Sequence, residues 1–321
     1  MAEKSKSQLT LKGAEMIDIL MATYNGEKYI RNQLFSLQQQ THREWTLWIR
    51  DDGSSDNTLI ILNEFANHDS RIKIVSNSDG KKLGPGKSFL ELTKYSNAAF
   101  SIFCDQDDIW FEKKLELLYG YGITNFSENI PSLVYCDAYG YSNADGVVVI
   151  DSISKLHANL LREFLFFNAG YQGCSMLFNR VLCSLARDYR AETIYMHDDI
   201  VSLLAHSFGK VYFLPKCLML YRQHESNVTG NIKPKILDKL KRIFSRELFV
   251  LSELHFLEKK SFFEAYRNEL SEVNADLLRA YLSYPFNSLF IRLWIVLRYQ
   301  FSIGGYKLPL LIKTLLRRPL G

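Results

Sequence analysis

Between Met16 and Asp108 the chain repeats one pattern: a short apolar segment, a polar turn, then a stretch with helical spacing. Met16–Ala22, Trp45–Arg50, Ile72–Ser76 and the run Ala98–Phe103 read as strands. Glu27–Gln40 carries Tyr29, Ile30, Leu34 and Leu37 on one helical stripe, and Asn57–Asn67 and Lys87–Ala98 follow as further helices. Strands that alternate with helices in this way pair in parallel, because each return crossing places a helix on one face of the sheet. The predicted fold is therefore α/β, with a mostly parallel central sheet flanked by helices. Ligands of such sheets gather at the carboxyl ends of the strands.

Every polar cluster of this half falls at such an end. The run ending at Phe103-Cys104 is followed by Asp105-Gln106-Asp107-Asp108-Ile109-Trp110, and Phe111–Leu118 then takes helical spacing. Carboxylates at the end of a buried strand are costly unless a positive charge neutralises them, and a hard divalent cation with oxygen ligands is the usual partner. Asp105 and Asp107 can share a crevice if the backbone leaves strand geometry between them, and Mg²⁺ or Mn²⁺ held with the phosphates of a nucleotide suits that arrangement. The alternative is an acidic helix start, with Asp107 or Asp108 as cap. Thr23-Tyr24-Asn25-Gly26-Glu27 follows the first strand and Arg50-Asp51-Asp52-Gly53-Ser54-Ser55-Asp56 the second. Both also read as plain turns with helix caps. A buried carboxylate in the second can accept the N3–H of uracil or thymine. No GxGxxG follows the first strand, which removes the main support for a dinucleotide-dependent oxidoreductase.

Taken together, the stretches Ile19–Gly26, Arg50–Asp56 and Asp105–Trp110 resemble the nucleotide-sugar domain of family 2 glycosyltransferases, which has the GT-A fold. Within that family the chain is most similar to bacterial rhamnosyltransferases of surface polysaccharides, which share D-Q-D-D-x-W, an L-G-x-x-K loop and a late H-D. The resemblance implies that Thr23, Tyr24, Asn25 and Glu27 line the nucleotide pocket. It also implies that Asp52 reads the base, that Asp105 lies at the diphosphate and Asp107 at the metal, and that Lys87 lies near the donor. A solvated Lys87 after the Gly84-Pro85-Gly86 turn is the plain reading. Gly173, Cys174 and Ser175 would face the acceptor, although a buried structural Cys174 is the simpler account.

Inverting transfer needs a carboxylate to take the acceptor proton, and the H-D match places that base at Asp198, with Asp199 as the neighbour to confuse it with. Two aspartates capping a helix over Ile200–Ser207 is the competing explanation. His197 would orient rather than ligate. His224 would complete the metal shell and Arg222 would meet the diphosphate, where a guanidinium suits phosphate oxygens. Ser132–Ala138 and Val147–Asp151, joined by a Gly/Asn/Asp turn, read as a hairpin.

The rest of the chain differs in character. From Lys233 on there are 16 Lys/Arg against 8 Asp/Glu, a local +8, so residues 1–232 carry −4 of the chain's +4. The expected division is a polar tail over 1–15, a GT-A domain over 16–231 and a basic, amphipathic helical region over 232–321. From Arg279 on there are seven basic residues and no acid, interleaved with Phe, Leu and Trp. No run reaches the ~20 apolar residues that span a bilayer. Such a segment suits an interfacial helix on anionic lipid, or a bundle packed on the catalytic domain or on a second copy. No nucleic-acid motif accompanies it. The five cysteines include no CxxC pair and suit a reducing compartment, and Met1–Lys12 has no apolar core of a leader.

The expectation is thus a metal-dependent inverting transferase, peripheral on the cytoplasmic face of the membrane and using dTDP-L-rhamnose on a glycan or lipid-linked acceptor. Alternatives are a UDP-hexose or UDP-N-acetylhexosamine enzyme of the same family, and a catalytically silent nucleotide-sugar-binding subunit.

Overall fold

The computed structural model describes residues 16–77, 80–168, 170–223 and 248–321. A nine-stranded sheet forms its centre, in the order β3-β2-β1-β4-β8-β6-β9-β5, with β7 paired to β6. The first four of these, β1 (Ile17–Thr23), β2 (Trp45–Asp51), β3 (Ile72–Ile74) and β4 (Phe100–Cys104), are all parallel, as the alternation with helices requires. They are connected through α1 (Ile30–Gln38), α2 (Thr58–His68) and α3 (Pro85–Leu92). The second half is mixed. β8 (Met176–Asn179) runs antiparallel to both β4 and β6 (Ser132–Ser142), β6 runs parallel to β9 (Lys210–Gln223), and β5 (Ile109–Trp110) is antiparallel to β9. The expected hairpin is present as β6 with β7 (Val147–Ile150). Helix α4 (Lys114–Asn125) starts three residues later than its apolar spacing begins.

Alternation along β1 divides the core. Ile17, Ile19 and Met21 join Leu34, Leu47 and Ile49 on one face, whereas Leu20 joins Phe89, Phe103 and Met176 on the other. Asp18 breaks the apolar run but is satisfied: it accepts from Trp48 Nε1 (3.0 Å), Ser96 Oγ and the amides of Asn97 and Ala98 (each 2.9 Å). The second face also receives α5 (Leu161–Phe164), α6 (Arg180–Arg187) and α7 (His197–Phe208).

The chain after β9 adds β10 (Phe249–Leu251), then helices α8 (Glu253–Tyr266), α9 (Glu272–Ser283), α10 (Leu289–Arg298) and α11 (Lys307–Leu316), and finally β11 (Arg318–Leu320). Phe256, Phe262, Tyr281 and Val296 belong to the same buried cluster as Leu20 and Phe103. Phe166 is the hub of the contact, with its ring 5.4 Å from Tyr281, 5.2 Å from Tyr284 and 5.1 Å from Phe301. The expected boundary at 231–232 and the tail over 1–15 lie outside the described residues.

Candidate functional site

Because β1 is paired to both β2 and β4, the loops leaving all three strands meet at one edge of the sheet. They are tied to one another by side chains that bond the neighbouring loop's backbone. Gln106 grips Tyr24 at both peptide positions, accepting from its amide and donating to its carbonyl at 3.0 Å each. A Cβ on Gly26 would stand 2.3 Å from Gln106 Oε1, so a larger residue there would displace the Gln106 amide from its grip on Tyr24. The Asn25 amide donates to Ser54 Oγ (2.9 Å), while its own Oδ1 accepts from the Ser55 amide (2.8 Å). Glu27 closes the series by accepting from the Asn57 amide at 3.0 Å. Asn25 holds φ 47°, a left-handed conformation that asparagine tolerates.

Asp51 and Asp52 divide two tasks. Asp51 accepts from Thr23 Oγ1 (2.9 Å), Ser54 Oγ (2.6 Å) and the amides of Gly53 and Ser54, which fixes the turn. Asp52, 8% exposed, accepts from the amides of Leu83 and Gly84 at 2.8 Å each and from the Arg50 guanidinium. Burial alone would raise its pKa, but the Leu83 amide, Arg50 and the Gly84 amide outweigh it and hold the carboxyl below its usual range.

At the end of β4 the side chains of Asp105, Asp108 and Cys174 converge, with their ligand-capable atoms all within 4.8 Å of one another. Burial and the neighbouring Asp107 push Asp105 up to about 6. Asp108, 1% exposed, is raised well above the carboxylate range by burial and by repulsion from Asp107 and Asp105. Its Oδ1 accepts from the Arg222 amide (3.1 Å), but Oδ2 is buried with no hydrogen-bond donor among the described residues. A hard cation fits this donor set: it needs anionic oxygens, and one is left without a partner. Asp105 and Asp108 could hold it. Cys174 is a poor ligand, since burial and the two carboxylates keep its thiol far from ionising. The Arg222 guanidinium donates through Nε to the Asp107 carbonyl (2.6 Å) and to Asn143, over the Tyr29 ring at 4.8 Å. Beneath the acids lies fully buried Lys114, whose Nζ donates to the Cys174 carbonyl (2.7 Å) and sits 3.6 Å over the Trp110 ring.

Across from these loops, α7 begins with His197, Asp198 and Asp199. His197 is stacked on Phe89 (3.9 Å) and edge-on to Phe103 (4.7 Å), and burial drives its pKa down to about 3. Neither ring nitrogen has a hydrogen-bond partner among the described residues, so it packs as a neutral ring. Asp198 is partly exposed, and its Oδ1 accepts the Asp199 amide (2.9 Å). Burial, then the charges of Asp199 and Asp105, push its pKa up to about 7. Asp199 is fully buried and ion-paired to α8, to His255 Nδ1 at 2.7 Å and Lys259 Nζ at 3.0 Å. Glu258 on the same helix accepts the amides of Tyr195 (2.7 Å) and Met196 (3.3 Å).

The structure thus brings Thr23, Tyr24, Asn25, Glu27, Asp105 and Arg222 into one strand-end cluster, with Asp52 at its flank. Lys87 is exposed on the first turn of α3. Gly173, Cys174 and Ser175 are fully buried; a Cβ on Gly173 would stand 2.5 Å from His197 Nε2, and Cys174 meets the acids. The small residues of that run make room for protein rather than for an open cleft. His224 lies outside the described residues. Asp108, Gln106, Lys114 and the α8 trio of His255, Glu258 and Lys259 were not singled out from sequence. Asp108 was legible as the third acid of D-Q-D-D, and His255 and Lys259 share a helical face at i, i+4, but nothing in the sequence ties that face to Asp199.

The sequence model of glycosyl transferase family 2 matches residues 18–178. Among curated proteins, a dTDP-rhamnosyl transferase of Shigella flexneri, RfbG, is 31% identical over 227 residues, covering 65% of this chain and 73% of that one. The Escherichia coli UDP-Glc:alpha-D-GlcNAc-diphosphoundecaprenol beta-1,3-glucosyltransferase WfgD is 38% identical over 102 residues, covering 32% of this chain and 39% of its own. Residues 1–349 of S. aureus TarS in complex with UDP-GlcNAc superpose with TM-score 0.55 at 18% identity, over 92% of this chain and 90% of that one. This chain spans 43% of the longer S. aureus TarS chain, at TM-score 0.55 and 17% identity. The mannosyltransferase PcManGT of Pyrobaculum calidifontis, in complex with GDP-Man and Mn²⁺, gives TM-score 0.51 at 13% identity, over 93% of this chain and 86% of that one. Fold, strand-end loops and family model agree: the chain is a GT-A protein and belongs to glycosyl transferase family 2.

Proposed function

We propose that this protein is an inverting, metal-dependent glycosyltransferase that moves L-rhamnose from dTDP-L-rhamnose onto a hydroxyl of a glycan or lipid-linked acceptor during surface polysaccharide assembly. The observation that carries this reading is one accessible carboxylate, Asp198, at the start of α7, near enough to Asp105 for the two charges to interact. Asp198 takes the proton of the acceptor hydroxyl as its oxygen attacks the anomeric carbon. A divalent cation, when bound, would offset the charge that develops on the departing diphosphate. Asp105 and Asp108 would hold it, with Asp107 beside them, and Arg222 would face the diphosphate oxygens. Asp52 accepts three donors here and a carboxylate offers about four acceptor positions, so one remains for the N3–H of thymine. The rhamnosyl donor is supported by RfbG, the longer of the two curated matches described above. A UDP-hexose or UDP-N-acetylhexosamine donor is the second reading, favoured by the higher local identity to WfgD and by the UDP-GlcNAc complex of TarS. Retention of Asp198 and of all three acids speaks against a silent binding subunit. The basic C-terminal helices support peripheral attachment to the cytoplasmic face of a membrane.

The test is incubation with Mn²⁺ or Mg²⁺ and dTDP-L-rhamnose, UDP-glucose or UDP-GlcNAc, reading slow donor hydrolysis and thermal protection. Cleavage of dTDP-L-rhamnose ahead of the others, abolished by EDTA, is expected. Preference for a UDP sugar moves the assignment to the second reading. Turnover undiminished in EDTA removes the metal.

A further inference from the structure

The helices α10 and α11 are amphipathic in an unusual sense: both sides of each are apolar, and only one side is covered. Ile295 and Val296 of α10, and Leu310 of α11, point into the core and are 4%, 0% and 0% exposed. The opposite side of the pair is bare, with Phe290 84%, Trp294 58% and Leu297 51% exposed on α10, and Leu308 66% and Leu315 54% on α11. Phe286, just before α10, adds 77%. Positions 290, 294 and 297 of α10 repeat at helical spacing and so form one stripe.

This exposure is built in rather than a loose end. Tyr284 Oη and Thr314 Oγ1 are joined at 2.8 Å in the interior and tie the two ends of the α10–α11 pair together. β11 pairs in parallel with β10, and the Gly321 amide donates to the Leu251 carbonyl at 3.1 Å, which locks the pair to the start of α8. A rigid apolar surface of this kind marks an interaction site on a soluble protein. Its charge selects the occupant. Arg298, Lys307 and Arg318 are exposed around the stripe, and no acidic residue follows Asp276. A self-complementary dimer face would put these cations against one another, whereas an anionic lipid surface neutralises all of them and accepts the apolar side chains below its headgroups. No helix is long and apolar enough to cross a membrane among the described residues, and α10, ten residues long, reaches only ~15 Å against a hydrocarbon core of ~30 Å.

We infer that the outward stripe of α10 and α11 is the docking face for an anionic bilayer, with Phe290 and Trp294 entering the acyl boundary and Arg298, Lys307 and Arg318 meeting headgroup phosphates. This deepens the membrane attachment proposed above and rests on it, yet its test needs neither donor nor acceptor. The full chain is sedimented with vesicles of phosphatidylcholine alone or with one quarter phosphatidylglycerol, at low and at high salt. Binding to the anionic vesicles, weak binding to the neutral ones and loss in high salt are expected, because screening acts within about 10 Å at 0.1 M salt. F290E/W294E should abolish binding, and K307Q or R318Q should each weaken it about fivefold, the equivalent of ~1 kcal/mol per basic residue. V273E, at another exposed apolar position, should bind as the wild type does. Circular dichroism and donor hydrolysis report whether each variant is folded. In the unaltered chain, lipids brominated on their acyl chains should quench Trp294, because Trp45 and Trp110 are buried and Trp48 is half-buried in β2; the effect should vanish in W294F. A wild type that stays in the supernatant with anionic vesicles at low salt overturns the proposal, as does F290E/W294E that pellets normally. A lipid-free dimer that F290E/W294E dissociates, without vesicle binding, makes the face an interface between copies instead. Vesicle binding without any donor hydrolysis would leave this inference standing and sink the enzymatic reading.

Discussion

Two groups of carboxylates flank Asp198, each with one fully buried aspartate, Asp199 in the first and Asp108 in the second, and the chain treats them in opposite ways. Around Asp199 the positive charge is internal. Lys259 and His255 pair with it, so that although burial alone would raise its pKa, Asp199 is held well below the usual range. Glu258, pushed up to about 9 by burial and by the charge of Asp199, stays protonated beside it. Around Asp105 and Asp108 the acids repel one another, one buried oxygen has no donor among the described residues, and buried Lys114 spends its hydrogen bonds on the Cys174 carbonyl and the Met219 sulfur. The first group carries its own cation and joins α8 to α7, although Glu258 Oε1 too is buried with no hydrogen-bond partner among the described residues. The second is the group proposed above to take its countercharge from a bound cation. Burial does not tell Asp199 and Asp108 apart, since both are buried; the origin of the countercharge does.

The sharpest probe is the residue between them. Asp198→Asn keeps the shape and removes the proton acceptor, so transfer should fall by roughly 10²–10⁴-fold while donor binding by calorimetry stays near wild type. In the unaltered enzyme the base works only when ionised, so the rate should rise about tenfold per pH unit below pH 7 and level off above it. Full transfer by Asp198→Asn would place the base elsewhere.

Next in size is Asp199→Asn. Removing one partner of a buried ion pair leaves the Lys259 cation uncompensated, and urea denaturation should show a loss of about 3–5 kcal/mol. The native pKa of Asp199 is depressed, so its stabilisation is present above an unfolded pKa of about 3.9 and disappears as pH falls through the lower native value. The deficit of the variant should therefore shrink in acid. Destabilisation that is independent of pH would mean that the pair does not hold α8.

Asp108→Asn should do the reverse. With a native pKa above the unfolded one, the carboxylate costs stability as pH rises, so in EDTA the asparagine variant should be more stable by about 1–2 kcal/mol at pH 8 and equal at pH 3. Mn²⁺ with a nucleoside diphosphate should then protect the wild type and not the variant. If Asp108→Asn destabilises as Asp199→Asn does, the two groups are alike and the distinction fails.

The smallest effect is expected at Glu258→Gln. It imitates the protonated acid, so melting temperatures should match the wild type below pH 4 and exceed it by a few degrees at pH 8, where the wild type must keep protonated in the fold a carboxyl that ionises in the unfolded chain. A variant that melts lower at both pH values would mean that Glu258 is charged in the fold.

The parallel half of the sheet was legible because buried strands and amphipathic helices leave periodic traces, and Ile19, Leu34 and Leu47 stand where those traces put them. The order β8-β6-β9-β5 was not, since antiparallel insertion of β8 between β4 and β6 depends on partners far apart in sequence. At the site, motif residues such as Asp105 and Asp198 could be named from local sequence. The residues that set their properties could not: Lys259 lies sixty residues from Asp199, and Lys114 looks like an ordinary helical lysine until the fold closes over it.

The ties among the loops leaving β1, β2 and β4 have a kinetic consequence. The amides of Tyr24, Asn25, Gly26 and Glu27 all donate to side chains, those of Gln106, Ser54, Thr58 at the start of α2, and Asp56, at 3.0, 2.9, 2.8 and 3.0 Å. A cradle already set in this way spends little of its association energy on becoming ordered, so a nucleotide can seat itself on first encounter, and the arrival rate follows diffusion rather than loop closure. These four amides should exchange with deuterium slowly before any ligand is added, and nucleotide should slow them only slightly further.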